Sequence, residues 1–88
     1  MPNTWFVYLL RCADDTLYTG VTTDMTRRLD EHNNDDRLGA RYTRARRPVA
    51  LLHCEPAASR SEACKREAAI RKLSRAAKLA LTQNTSTS

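Results

Sequence analysis

The spacing of apolar positions changes along the chain, and each change marks an element. Residues 5–12 are apolar or aromatic at nearly every position, without alternation, which predicts a strand covered on both faces at the centre of a sheet. Asp14 and Asp15 supply turn chemistry, and residues 16–22 read as the returning strand of a hairpin. Met25, Leu29 and His32 then recur at i, i+4 and i+7, behind the N-cap oxygens of Thr22, Thr23 and Asp24, so a helix is predicted over 24–33. Residues 33–48 carry no useful periodicity and read as a loop. Residues 49–54 form a short third strand. Ser59 and Glu62 make a capping box that opens a second helix running to about residue 73, and Ser74 can cap a third, short helix. Residues 83–88 are small and polar and are expected to be a disordered C-terminal tail. The predicted architecture is α+β: a small three-stranded antiparallel sheet flanked by about three helices, in one domain over 1–82.

Length and charge narrow the function. A chain of 88 residues has room for one small core and no second domain. Fifteen Lys and Arg against ten Asp and Glu give a net charge of +5, and most of the cations are arginine, the planar donor suited to bidentate phosphate contacts. A polyanionic partner is the leading expectation; an ordinary basic surface is the plainer one. Cys12, Cys54 and Cys64 are far apart and lack metal-ligand spacing, so they read as small buried hydrophobes. The longest apolar run is far shorter than the ~18 residues needed to span a membrane, and its flank lacks the basic region of a signal peptide, so a cytoplasmic protein without membrane contact is expected.

Three groups of residues carry candidate chemistry. In the second helix Ala63, Glu67, Ile70 and Ser74 share a face, which puts a carboxylate among small and apolar residues. A buried carboxylate must be paired or coordinated. Glu67 is therefore either a ligand for a divalent cation such as Mg²⁺ or Mn²⁺, or half of a salt bridge to Arg71 at i+4. Arg28 and His32 lie one turn apart on the first helix, a fixed cation beside a group that moves protons near neutral pH. The plainer reading is a solvated face on which Arg27 pairs with Glu31. Tyr8 and Tyr18 are ordinary strand aromatics unless something lowers their pKa from the reference ~10. A two-residue turn would place them on opposite faces of the hairpin, a three-residue loop or a bulge on one face, and both remain open. Gly20, inside the second strand, marks a place where backbone or substrate comes close.

The order Phe6-Val7-Tyr8, Tyr18-Thr19-Gly20, Arg28-x-x-x-His32 and a later helical Glu67 resembles the GIY-YIG nuclease superfamily, and within it the short, single-domain bacterial branch of UPF0213-like proteins. The resemblance spans residues 5–81. The motifs depart from the family's in reading Phe-Val-Tyr for Gly-Ile-Tyr and Tyr-Thr-Gly for Tyr-Ile-Gly, with the tyrosines and the glycine kept. The resemblance implies that Tyr8 contacts the attacking water as general base and that Tyr18 orients water or phosphate. It further implies that Arg28 binds the scissile phosphate, that His32 takes part in proton transfer, and that Glu67 is the single metal-ligating carboxylate.

Such a set suits hydrolysis of a phosphodiester, which needs a base, neutralisation of the pentacovalent state and a stabilised leaving oxygen. The expected activity is a metal-dependent endonuclease acting on DNA, in branched, damaged or single-stranded forms, with Mg²⁺ or Mn²⁺ as cofactor. Arg37, Arg41, Arg44, Arg46 and Arg47 are expected to grip backbone phosphates and Tyr42 to stack on a base; backbone contacts carry no sequence information, so little specificity is expected without a protein partner for targeting. The alternative is a non-catalytic or partner-dependent nucleic-acid-binding module.

Overall fold

The most apolar run of the chain forms β1 (Trp5–Arg11), the middle strand of a three-stranded antiparallel sheet ordered β2-β1-β3, with β2 spanning Leu17–Thr22 and β3 Ala50–Ala57. The computed structural model describes residues 4–85. It also contains α1 (Met25–Asn34), a single turn α2 (Arg41–Arg44), α3 (Arg60–Arg71) and α4 (Arg75–Thr85). The α+β sheet-and-helix architecture expected from the sequence is the one observed. The extra helix is α2, one turn inside the stretch without periodicity. The expected tail, 83–88, overlaps the end of α4, and residues 86–88 lie outside the described residues.

Helices cover both faces of the sheet, which is why β1 has no polar alternation. On one face Met25 and Leu29 of α1 pack against Tyr8, Leu10, Cys12 and Val49. On the other, Ala63 and Ile70 of α3 close on Val7, with Trp5, Val21 and Leu81 around them. The helix starts follow the local sequence. Asp24 accepts from the backbone N–H of Arg27 at 3.1 Å, Ser59 from that of Glu62 at 3.2 Å, and Ser74 from that of Ala77 at 3.2 Å.

The hairpin loop fixes what matters for function. Cys12 donates its N–H to the Thr16 carbonyl, and Asp15 donates to the Cys12 carbonyl, both at 2.9 Å, so the loop holds residues 13–15. Asp15 has φ 69°, the left-handed conformation that three-residue hairpin loops use at that place and that aspartate tolerates better than most residues. The odd loop sets Tyr8 opposite Gly20 and Leu10 opposite Tyr18, which puts both tyrosines on the α1 face. Among the cysteines only Cys12 is buried; Cys54 is half-buried and Cys64, on the outward face of α3, is exposed, so the expectation of three buried thiols holds for one. Among the described residues no helix is long and apolar enough to cross a membrane.

Candidate functional site

Tyr8 stands at the centre of the candidate site. Its ring lies over Gly20 on the neighbouring strand, where any Cβ would overlap the phenol. Its hydroxyl is 2.7 Å from Nε2 of His32, and the other ring nitrogen of His32, Nδ1, is 2.8 Å from Oγ1 of Thr43. Tyr8, His32 and Thr43 are all buried. The Tyr18 ring sits 6.5 Å from that of Tyr8 and 5.3 Å from that of His32. His32 therefore lies in the core between Tyr8 and Thr43.

Arg28 brings its guanidinium beside the Tyr8 hydroxyl. It also donates to the Glu31 carboxylate at 2.9 Å and to the Leu38 carbonyl at 2.6 Å, while Arg27 pairs with the other side of Glu31 at 3.4 Å. Burial pushes the Tyr8 hydroxyl up to about 12 even though the adjacent Arg28 charge pulls it down. Burial, aided by the same Arg28 charge, pushes His32 down to about 4. At neutral pH both groups are uncharged. Burial works against the charge on Arg28, but its bonds to Glu31 and Tyr8 outweigh this and hold its pKa above the ordinary value.

Glu67 approaches from α3, on the opposite side of the sheet. Its carboxylate is 3.2 Å from the Arg71 guanidinium, which also lies 3.5 Å from the Thr19 carbonyl on the edge strand β2. The i+4 pair weighed from the sequence is thus formed. The Glu67 charge nevertheless acts on Tyr8, as the least of the influences that raise its pKa. Tyr8, Tyr18, Arg28 and His32 are brought into one cluster, with Glu67 at its margin beside β2.

The arginine-rich stretch is more ordered than a loop, because most of its arginines are tied inward. Arg47 donates to the His32 carbonyl at 2.6 Å, the Asp35 carbonyl at 3.0 Å and the Asp36 carboxylate at 2.8 Å. Arg46 pairs with Asp14 at 3.0 Å and lies 3.9 Å over the Tyr42 ring, which also stacks on Tyr18 at 5.8 Å. Arg44 donates to the Asp36 carbonyl at 2.8 Å. Arg37 and Arg41 are exposed, and their guanidinium groups make no hydrogen bond or ion pair among the described residues. Of the basic set, then, these two are free to meet phosphate, and Tyr42 can take a base only where Tyr18 and Arg46 leave it uncovered.

Sequence reasoning missed Thr43 as a neighbour of the site and Glu31 as the partner of Arg28. Thr43 gave no signal among the arginines around it, whereas the spacing of Arg28 and Glu31 at i+3 was legible. A cavity of about 340 Å³ between Met25, Leu29, Asn33 and Leu51 touches none of the site residues.

Residues 4–80 match the GIY-YIG catalytic domain, and the chain belongs to that family, one of nucleases acting on nucleic acid. Its relatives include UPF0213 proteins. That of Syntrophus aciditrophicus is 54% identical over 86% of each chain, and VNG_2274C of Halobacterium salinarum is 56% identical over 85% of this chain and 95% of its own. DP2720 of Desulfotalea psychrophila is 60% identical over 80% of this chain, a match that spans 63% of the relative's length. The solution NMR structure of BH0048, a UPF0213 protein from Bacillus halodurans, has the same fold at TM-score 0.59 and 37% identity, covering 96% of this chain and 87% of its own. That of EF2693 from E. faecalis gives 0.63 and 44%, covering 97% and 91%.

Proposed function

We propose that this protein is a metal-dependent endonuclease that hydrolyses DNA phosphodiester bonds, with little sequence specificity of its own. The observation that carries this reading is the Tyr8 hydroxyl, bonded to His32 at 2.7 Å and flanked by the Arg28 guanidinium. A neutral phenol is a poor base alone. With His32 ready to receive its proton, Tyr8 can take one from an attacking water in the same step. Arg28 exchanges the Leu38 carbonyl and Glu31 for the scissile phosphate and steadies the charge that develops on it. Tyr18 orients the water or the phosphate, and Arg37 and Arg41 hold the backbone to either side.

The donor set fits a divalent cation. Glu67 is a single, partly exposed carboxylate whose ion-pair partner among the described residues, Arg71, is itself 58% exposed and free to swing away. Mg²⁺ commonly takes one or two carboxylates and keeps its waters. When bound, the cation would supply Lewis-acid neutralisation of the phosphate and of the leaving oxygen.

One further observation favours a second reading, a nucleic-acid-binding module that turns over only with a partner. Tyr8 is 1% exposed, Arg28 is satisfied by Glu31 and Leu38, and Glu67 by Arg71, so each group is already engaged within the chain. Incubation with supercoiled plasmid, branched duplex and single-stranded DNA separates the two, with Mg²⁺ or Mn²⁺ and with chelator, alongside Tyr8→Phe and Glu67→Ala. Metal-dependent cleavage lost in both variants supports the nuclease. Binding without cleavage on every substrate supports the module, and cleavage that survives in both variants removes these residues from the mechanism.

A further inference from the structure

The hydrogen-bond chain behind Tyr8 runs deeper into the fold than His32. Among the described residues the Tyr8 hydroxyl has two hydrogen-bonding neighbours, the His32 Nε2 and the Arg28 guanidinium. A guanidinium can only donate. The one acceptor for the Tyr8 proton is therefore His32 Nε2, which must carry no hydrogen of its own. A neutral imidazole with a bare Nε2 holds its proton on Nδ1, and that nitrogen faces Thr43 Oγ1 at 2.8 Å. The Thr43 hydroxyl can accept there because its single hydrogen is directed at the Ala40 carbonyl, 2.9 Å away. The reverse polarity would have Nε2 donate to Tyr8, leaving the buried phenolic hydrogen between two donors with nothing to bond.

We propose that Thr43 is a positioning residue: by accepting from Nδ1 it fixes His32 in the tautomer whose bare Nε2 takes the Tyr8 proton. This deepens the nuclease reading and rests on it for its catalytic meaning, but the tautomer is a property of the folded protein whether or not it cuts DNA. Thr43 owes its place to the short helix α2, which aims its side chain inward while Arg41, Tyr42 and Arg44 stay exposed. The Arg47 bond to the His32 carbonyl ties the backbone of α1 to the same segment.

The test uses full-length protein with ¹⁵N-labelled histidine, the ring spectra of its two histidines assigned with His32→Gln. The wild-type ring of His32 is expected to carry its proton on Nδ1 at neutral pH, a readout that needs no variant and no substrate. Thr43→Val keeps the shape and removes the acceptor; in it the Nδ1-protonated form should give way to a mixture or to the Nε2-protonated form. Mg²⁺-dependent cleavage of supercoiled plasmid should slow by roughly 100-fold, the size of a general-base contribution. Thr43→Ser, which keeps the hydroxyl, should restore both the tautomer and the rate to within a few-fold. A wild-type ring protonated on Nε2 overturns the inference, as does a Thr43→Val spectrum unchanged from wild type in a protein that melts as one unit. Wild-type protein that shows the Nδ1 tautomer but cuts no DNA leaves Thr43 setting the tautomer and refutes the nuclease reading alone.

Discussion

Gly20 stands directly across the β1–β2 ladder from Tyr8, and the phenol lies so close above it that an added methyl group would overlap both the hydroxyl and the carbon that bears it. The clash is with the end of a ring whose hydroxyl is already held by His32, so relief means moving the candidate base. Gly20→Ala should therefore lower stability by about 1–3 kcal/mol, the usual cost of overpacking, and displace Tyr8 from His32. Denaturant midpoints and plasmid cleavage rates check this together. A fold and a rate both at wild-type level would mean that the glycine has no part in placing Tyr8.

His32 makes stability depend on pH in a defined window. Its folded pKa is lowered from 6.5 to about 4, chiefly by burial and by the Arg28 charge, with Arg47 adding to the effect and Glu31 opposing it. The unfolded chain then binds the proton more readily than the folded one. The neutral buried ring contributes up to about 3 kcal/mol, fully present above pH 6.5 and lost as pH falls from about 6.5 to 4. The carboxylates that folding holds low, Glu55, Asp35 and Asp14, lose their contribution only further down, below their ordinary values of 4.5 for Glu55 and 3.8 for the two aspartates. Urea melts at pH 7, 5.5 and 4.5 should show falling midpoints in wild type and a shallower fall in His32→Gln. Equal slopes would place the proton uptake on other groups.

What the sequence made legible was local. The caps at Asp24, Ser59 and Ser74 act within one turn, and the run of apolar residues in β1 already implied helices on both faces. The Glu67–Arg71 pair needed only helical spacing. The hairpin register was illegible because it turns on whether the chain reverses over two residues or three, and two adjacent aspartates serve either loop. Asp15 in the left-handed conformation settles it. Thr43 and Arg47 were illegible for another reason. Their partners, His32 for the first and His32, Asp35 and Asp36 for the second, lie 11 to 15 positions away and meet them only when the segment folds back on α1.

The inward and outward arginines should separate in their effects. Arg47 makes three charge-assisted bonds to α1 and the residues after it, so Arg47→Ala should cost about 2–3 kcal/mol of stability. Arg41 is exposed, and Arg41→Ala should leave stability within about 0.5 kcal/mol while weakening DNA binding and reducing the salt slope by about 1. Thermal melts and fluorescence anisotropy at several salt concentrations measure the two effects. A folded Arg47→Ala protein that loses DNA affinity at unchanged stability would make Arg47 a phosphate contact instead.

Arg71 competes with any cation for Glu67, and the geometry sets the size of that competition. The pair is a single contact at 3.2 Å with Arg71 largely exposed, so releasing it costs less than about 1 kcal/mol. Arg71→Gln removes both the competitor and a repulsive positive charge, and Mn²⁺ should bind up to about 5-fold more tightly, by the same energy converted at 1.4 kcal/mol per tenfold. Glu67→Gln should abolish binding at that site, since a neutral amide cannot replace the carboxylate charge. Water-proton relaxation on addition of Mn²⁺ reads both variants without any DNA present. If neither substitution changes the Mn²⁺ affinity, Glu67 is the structural partner of Arg71 and the cation, where one is needed, is held elsewhere.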